Sequence, residues 1–183
     1  VGVSTPRPVG AVLLLACVAC GGGAGGASGS TAPPPPSTAA TLPAEAEAGR
    51  AYLLLGGELG VLDVSSCDFT TTTDDATGVT VSVLATATDG TGRSVEVRRS
   101  SFEGDVATTT DRVVVVDGDA ALEASRADRD GLQLDLREPN PVGPLLDVDP
   151  GAGTIRAEGT FGPVDGGADD PANVVGSLLL SCP

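Results

Sequence analysis

The sequence predicts a mostly β fold, either a small antiparallel β-sandwich or a curled sheet. Apolar and polar residues alternate with a period of two in several stretches, which is the spacing of a half-buried strand. Asp-Gly pairs at 89–90, 117–118 and 130–131 separate these stretches and supply the positive φ of tight hairpins. Aromatic residues make up only 2% of the chain, so the core must consist of Val, Leu and Ala.

Residues 1–19 predict a secretory signal peptide. Arg7 gives a positive start, and residues 9–19 form an apolar run of the length that such signals use. The run is too short to cross a bilayer, which takes about 20 apolar residues, and glycine follows it directly. We therefore expect export of the chain without a permanent helical anchor.

Two cysteines end this run, in the sequences LLAC at 14–17 and VAC at 18–20. Both resemble the lipobox of bacterial lipoprotein signals, in which a cysteine is diacylated and becomes the new N-terminus. A leucine three residues earlier favours Cys17, whereas the longer apolar run and the glycine tract that follows favour Cys20. Cleavage at Cys20 also leaves one further pair of cysteines. We predict lipidation at Cys20, with Cys17 as the alternative.

Residues 20–48 predict a disordered linker rich in Gly, Pro, Ser, Thr and Ala. Such a composition cannot bury enough apolar surface to offset the entropy lost on ordering. The glycine-rich part is flexible and the proline run at 33–36 is stiff, so we expect a tether that holds a single domain, residues 49–183, close to the membrane.

The strands of this domain follow from alternation. The alternating stretches are residues 79–88, 95–98, 132–136 and 155–161. In 132–136 the leucines form the expected buried face. The valine run at 113–116 predicts a strand in the middle of a sandwich that is buried on both faces or nearly so. Only residues 119–127 have a composition that suits a helix, and nine residues are few for one.

Cys67 and Cys182 are predicted to form a disulfide. They are the two cysteines in the folded part of an exported chain, and hence in an oxidising compartment. Cys67 ends the apolar stretch 61–67 and Cys182 ends the stretch 174–182, so the bond would join the first and last parts of the domain. We expect the two Cα atoms to lie within about 4.4–6.8 Å of each other.

Composition argues against several functions. The formal net charge of −15 disfavours binding to nucleic acid or to anionic lipid headgroups. The chain has no His, no Lys and one Tyr, which excludes the Ser/His, Cys/His and Ser/Lys nucleophile systems. We therefore expect neither an enzyme nor a cofactor. Arg93, Arg98 and Arg99 form the one basic cluster, which we interpret as a solvated strand face.

Two acidic stretches resemble calcium loops incompletely, and we predict no metal site. In the first, Asp147, Asp149 and Glu158 have suitable spacing, but Gly151 and Ala152 occupy places that calcium loops reserve for a ligand and for glycine. The second begins at Asp128 and Asp130 and lacks later ligands. We interpret both stretches as acidic turns.

Three segments carry a resemblance to a known family: AYLLLGGELGVLDVSSC at 51–67, IRAEGTFGPVDGG at 155–167 and VVGSLLLSCP at 174–183. They resemble the LpqH-type lipoprotein antigens of mycobacteria and related actinobacteria. In that family a lipidated tether precedes a small β domain with one early cysteine and one just before the C-terminus, the positions of Cys67 and Cys182. The stretch 137–150 is longer and more proline-rich than the family pattern.

The resemblance implies a surface-exposed antigen on the extracytoplasmic face of the membrane, with no catalytic residue. Two functions therefore remain open. The first is a cell-envelope lipoprotein that acts as a displayed antigen or interaction module, with a host or envelope protein as partner. The second is an envelope carrier that encloses a lipid or another apolar ligand, for which we expect an apolar cavity of several hundred cubic ångströms.

Overall fold

The computed structural model describes residues 40–74, 78–135, 137–139 and 141–183. Within these ranges the chain forms ten strands and no helix. Cys17 and Cys20, the two predicted lipidation sites, lie outside the described residues. The strands are β1 Arg50–Leu55, β2 Glu58–Asp74, β3 Gly78–Thr88, β4 Arg93–Glu103, β5 Thr108–Asp117, β6 Ala120–Arg129, β7 Leu132–Asp135, β8 Leu146–Asp149, β9 Thr154–Pro163 and β10 Val174–Ser181.

All ten strands belong to one antiparallel sheet in the order β7-β6-β5-β4-β3-β2-β1-β10-β9-β8. A further pairing between β6 and β9, Leu122 with Pro163 and Glu123 with Gly162, joins the sheet to itself. Strands β1 to β6, β9 and β10 thereby close into an eight-stranded barrel, and β7 and β8 remain as the two ends of the sheet. The predicted mostly β fold is confirmed in its curled-sheet form.

Small and branched aliphatic side chains fill the barrel, as the composition predicts. They occupy alternate positions of most strands, so one face of each of those strands points into the core. Phe161 is the aromatic ring buried in this core, and Phe69 packs against it from a partly buried position. The other core members include Leu53, Leu62, Val83, Ala85, Val95, Val97, Val113, Val115, Ala124, Ile155, Leu178 and Leu180.

The three predicted Asp-Gly turns are confirmed. Gly90, Gly118 and Gly131 have φ values of 75°, 58° and 82°, and each lies between two consecutive strands. Asp130 also has a positive φ, 50°. Its backbone N–H donates to the oxygen of Ala107, and its carboxylate accepts from the N–H of Ala107, each at 3.0 Å.

Two elements differ from the predictions. Residues 120–127 belong to strand β6 and not to a helix, because Leu122 and Ala124 face the core and the Asp117-Gly118 turn pairs the segment with β5. Tertiary pairing here outweighs helix propensity. The valine run is buried on one face only: Val113 and Val115 are in the core while residues 114 and 116 are half-buried, since a barrel has a single apolar side.

Cys67 and Cys182 form the predicted disulfide, and their Cα atoms lie 5.9 Å apart. Cys67 does not end its strand, because β2 continues to Asp74. Strand β1 lies between β2 and β10, but it begins at Arg50, opposite Asp63. Beyond that point β2 extends past β1, and Cys67 reaches the residue that follows β10.

Residues 40–48, the described part of the predicted linker, lie against the barrel without forming a strand. Arg156 Nη2 donates to the oxygen of Ala44 at 2.7 Å, and the N–H of Arg50 donates to the oxygen of Glu47 at 3.0 Å. Arg156 is paired with Leu179, which faces away from the core yet is only 1% exposed. The chain therefore approaches β1 across the outer face of β9 and β10.

Candidate functional site

The barrel is split along the line where it closes. Strand β6 pairs with β9 at residues 122–123, whereas residues 126–129 of β6 pair with β7. On the opposite side, residues 154–157 of β9 pair with β8. We name the opening between β7 and β8 the seam cleft. In the described chain each of these two strands has one edge without a strand partner.

Residues 137–139 and 141–145 close the narrow end of the seam cleft by binding both of its sides. Glu138 accepts hydrogen bonds from Arg126 Nη2 of β6 at 2.6 Å and from Thr160 Oγ1 of β9 at 3.0 Å. The stretch contains several prolines, which have no N–H with which to extend a strand ladder. The cleft is consequently a wedge with a closed, proline-rich apex.

The barrel interior changes from apolar to ionic at the cleft. Along β4 and β5 the inward positions run from Val97 and Val113 to Arg99 and Asp111. Arg99 Nε and Nη2 donate to the two carboxylate oxygens of Asp111 at 2.7 and 2.8 Å. The same pair binds the backbone of Leu146, whose oxygen accepts from Arg99 at 2.6 Å and whose N–H donates to Asp111 at 3.0 Å. These bonds fix the start of β8.

Arg126 extends the ionic layer from β6 to β7. Its guanidinium donates to Asp135 at 3.1 and 3.2 Å, to Glu138 at 2.6 Å and to the oxygen of Gly143 at 2.8 Å. Arg126 and Asp135 are each 5% exposed. Buried ion pairs contribute little net stability, because the desolvation of both charges offsets their attraction. The main effect of these ion pairs is therefore to fix the position of β7 and of the proline-rich apex.

Beyond this layer the seam cleft opens into a pocket of about 370 Å³. Glu103 and Asp128 line it, and neither has a cationic partner in the described chain; Asp128 accepts the N–H of Gly131 at 2.9 Å within its turn. Arg99 and Arg126 also line the pocket, but most of their donors are engaged in the ionic layer. The remaining lining residues are Ser101, Thr109, Asp111, Gln133 and Pro144. We name this space the acidic pocket.

Strand β7 has the predicted alternation with its faces reversed. Leu132 and Leu134, the predicted buried face, are 63% and 60% exposed, while Gln133 and Asp135 pair with Asp128 and Arg126 beside the acidic pocket. The prediction fails because the barrel interior is ionic at this end, so polar side chains suit the inward face. An edge strand with exposed leucines is an unusual surface for an isolated domain.

Glu123 lies at the closing pair between β6 and β9, and Arg112 Nη2 donates to its carboxylate at 2.6 Å. Burial alone would raise the pKa of Glu123, but the hydrogen bond and charge of Arg112, with help from Ser125 and Arg137, hold it below its usual value. The same contact raises the pKa of Arg112. The pair is therefore ionised at neutral pH and supports closure of the barrel.

The basic cluster of the sequence separates into different environments. Arg93 pairs with Asp117, and Arg98 pairs with Glu96 at 2.7 Å on the exposed outer face. Arg99, however, points inward to Asp111 and its side chain is 17% exposed. The prediction of a solvated strand face is thus wrong for Arg99. The sequence did hold a signal for it, because the inward alternation Val95, Val97 continues to position 99.

The acidic stretches form turns. Asp149 accepts the N–H of Ala152 at 2.9 Å and stabilises the β8–β9 turn, while Asp147 lies exposed on β8 and Glu158 exposed on β9. Among the residues that the structure describes, no group of three or more His, Cys, Asp or Glu side chains is placed to hold a metal ion.

No protein-family model, curated protein or solved structure matches the chain. In the described ranges, no helix has the length and hydrophobicity needed to cross a membrane. The fold and the site define a class of architecture, an antiparallel eight-stranded barrel with a split and polar seam. The proposed function is based on the barrel fold and on its split, polar seam.

Proposed function

We propose that the protein is a cell-envelope lipoprotein, held on the extracytoplasmic face of the membrane by lipid on Cys20 or on Cys17. Its barrel acts as a surface-displayed antigen or interaction module and catalyses no reaction. Support for the anchor comes from the apolar run and its two cysteines, followed by a glycine- and proline-rich tether. The disulfide between Cys67 and Cys182 is consistent with an oxidising, exported location.

The seam cleft is the observation that most favours an interaction module. Proteins usually cover or shorten sheet edges, because free edges pair with other chains. Here two such edges flank one opening, and Leu132 and Leu134 are exposed beside it. A partner that docks in the cleft would cover both features.

The alternative function, an envelope carrier of an apolar ligand, has less support. The interior of the barrel is occupied by aliphatic side chains such as Leu53, Val97 and Leu178. An apolar groove of about 380 Å³ lies beside Leu134, but Ser125, Ala127 and Leu134 line it from the outer face of β6 and β7 and not from the barrel interior. A lipid that remained bound to the purified barrel after removal of the N-terminal anchor would favour the carrier.

Membrane fractionation of cysteine variants tests the anchor. With both Cys17→Ser and Cys20→Ser, the protein should move from the membrane fraction to the soluble fraction, because each buried acyl methylene contributes about 0.8 kcal/mol to membrane binding. Cys67→Ser is the matched control, since it removes a cysteine from the barrel and should leave the protein in the membrane. A double variant that stays membrane-bound would refute the lipoprotein proposal.

A further inference from the structure

We propose that the seam cleft binds an extended segment of a partner protein as an added β-strand, with a Lys or Arg side chain of that segment in the acidic pocket. This inference rests on the proposed function, in which the barrel is an interaction module. It goes further because it specifies the conformation and the charge of what the module binds.

The two strand edges beside the seam cleft have backbone groups that can still form hydrogen bonds. Strands β7 and β8 end the sheet, so along their outer edges Leu132–Asp135 and residues 147–149 have no strand partner in the described chain, whereas the backbone N–H and oxygen of Leu146 are engaged by Asp111 and Arg99. Both edges flank the same opening. An extended chain entering there pairs with one of them, or with both, and completes the sheet, which is how strand addition recognises peptides. The proline-rich apex cannot provide this strand itself.

The negative charge of the acidic pocket complements a basic side chain on the added strand. Side chains on the inner face of an added strand would point toward the acidic pocket, where Glu103 and Asp128 have no cationic partner. Arg99 and Arg126 are already neutralised by the buried carboxylates Asp111 and Asp135. The net charge of −15 attracts cationic segments over a longer range. A Lys or Arg side chain therefore suits the pocket, because its positive charge complements the two carboxylates and its length lets it extend from the added strand into the pocket.

The outer face of β7 favours apolar residues on the outer face of the added strand. Leu132 and Leu134 present exposed apolar surface on β7, and neighbouring strands contact each other through side chains on the same face. The partner strand should therefore place apolar residues outward and basic residues inward, in strict alternation. A saccharide is the competing ligand, since hydroxyl, amide and carboxylate groups line the pocket, but among the described residues no aromatic ring lines it as a stacking platform.

Three synthetic peptides, blocked at both ends, test the inference on the full-length protein. One alternates Lys with Val, the second has Gln in place of Lys, and the third repeats the Lys/Val sequence with N-methylated backbone amides. We expect the Lys/Val peptide to bind, the Gln peptide to bind about tenfold more weakly, and the N-methylated peptide not to bind. The Lys/Val peptide should also slow amide hydrogen exchange in β7 and β8.

A pair of charge variants localises the binding. Glu103→Gln with Asp128→Asn should weaken the Lys/Val peptide about tenfold, to the affinity of the Gln peptide. Glu58→Gln with Asp119→Asn is the matched control, because it removes the same charge from hairpins at the opposite end of the barrel and should change the affinity by less than about twofold. Equal losses in the two pairs would overturn the inference, as would full binding of the N-methylated peptide.

The outcomes also separate this inference from the proposed function. Absence of peptide binding in a protein that is anchored to the membrane overturns the inference alone. Peptide binding by a protein that proves not to be lipidated overturns the anchor and supports the cleft. A saccharide that copurifies with the protein, and is lost in the Glu103→Gln/Asp128→Asn variant, overturns strand addition in favour of sugar binding.

Discussion

Arg99 and Asp111 occupy the positions at which the inward alternation of β4 and β5 changes from valine to charge. Asp111 is 2% exposed, and its carboxylate accepts from both Arg99 and the N–H of Leu146. Because this carboxylate is buried away from water, its ionised form is stable only while these hydrogen-bonding and cationic partners are present. The ionic layer is therefore the part of the barrel where single substitutions should have the largest effects.

Asp111→Ala should destabilise the domain by about 3–5 kcal/mol, because it leaves the guanidinium of Arg99 buried without a counter-charge. Asp117→Ala, which breaks the exposed pair with Arg93, is the control and should cost no more than about 1 kcal/mol. Denaturant unfolding of the two variants measures both values. Similar losses would show that the pair with Arg99 is no more important than a surface ion pair.

Glu123 should influence stability in acid. Its pKa is lower in the folded state than the usual value of 4.5, so its contribution is present above that value and is lost as the pH falls through the lower folded-state pKa. Glu123→Gln should therefore flatten the loss of stability below about pH 4.5, and Arg112→Met should do the same by removing the partner. Urea midpoints measured between neutral pH and acid test this, and unchanged acid slopes in both variants would contradict it.

At the scale of elements, the disulfide joins strand β2 to the end of the chain across 115 residues of sequence. Cys67→Ser with Cys182→Ser should lower the free energy of unfolding by about 4–5 kcal/mol in the chain-entropy model, a shift in Tm of roughly 10 °C or more. Chemical reduction of the unmodified protein should produce a similar shift. Calorimetry that found equal melting temperatures in the presence and absence of the bond would show it to be incidental to the fold.

Alternation and turn residues were enough to predict most of the strands and the Asp-Gly hairpins, because both are local properties, but they did not identify β1, β6 or β8. The same reasoning assigned the wrong face to Leu132 and Leu134 and left 119–127 as the one stretch whose composition suits a helix. Both errors arise from tertiary pairing: β6 is a strand because β5 lies beside it, and β7 inverts because Arg126 and Asp135 form an ion pair within the barrel. The acidic pocket could not be predicted for the same reason, since its residues are far apart in sequence.

At the scale of the whole molecule, the path that residues 40–48 take across the barrel is as relevant to function as the barrel itself. Residues 40–48 cross the outer face of β9 and are held there by the bond from Arg156 to Ala44. Residues 40–48 therefore join the barrel on the outer face of β9, beside the pairing of Arg156 with Asp147 of β8, while the seam cleft has free strand edges and a pocket at the barrel end. If the domain is anchored as proposed, the cleft is the surface through which we expect it to bind extended segments of other envelope or host proteins.

Native mass spectrometry of the protein extracted from its own membranes tests the central claim most directly. The account predicts a mature chain that begins at Cys20, or at Cys17, and carries a diacylglyceryl thioether, with a protein partner that dissociates when the Lys/Val peptide is added. A mature chain without lipid would contradict the anchor, and a partner that the peptide does not displace would contradict the role of the cleft.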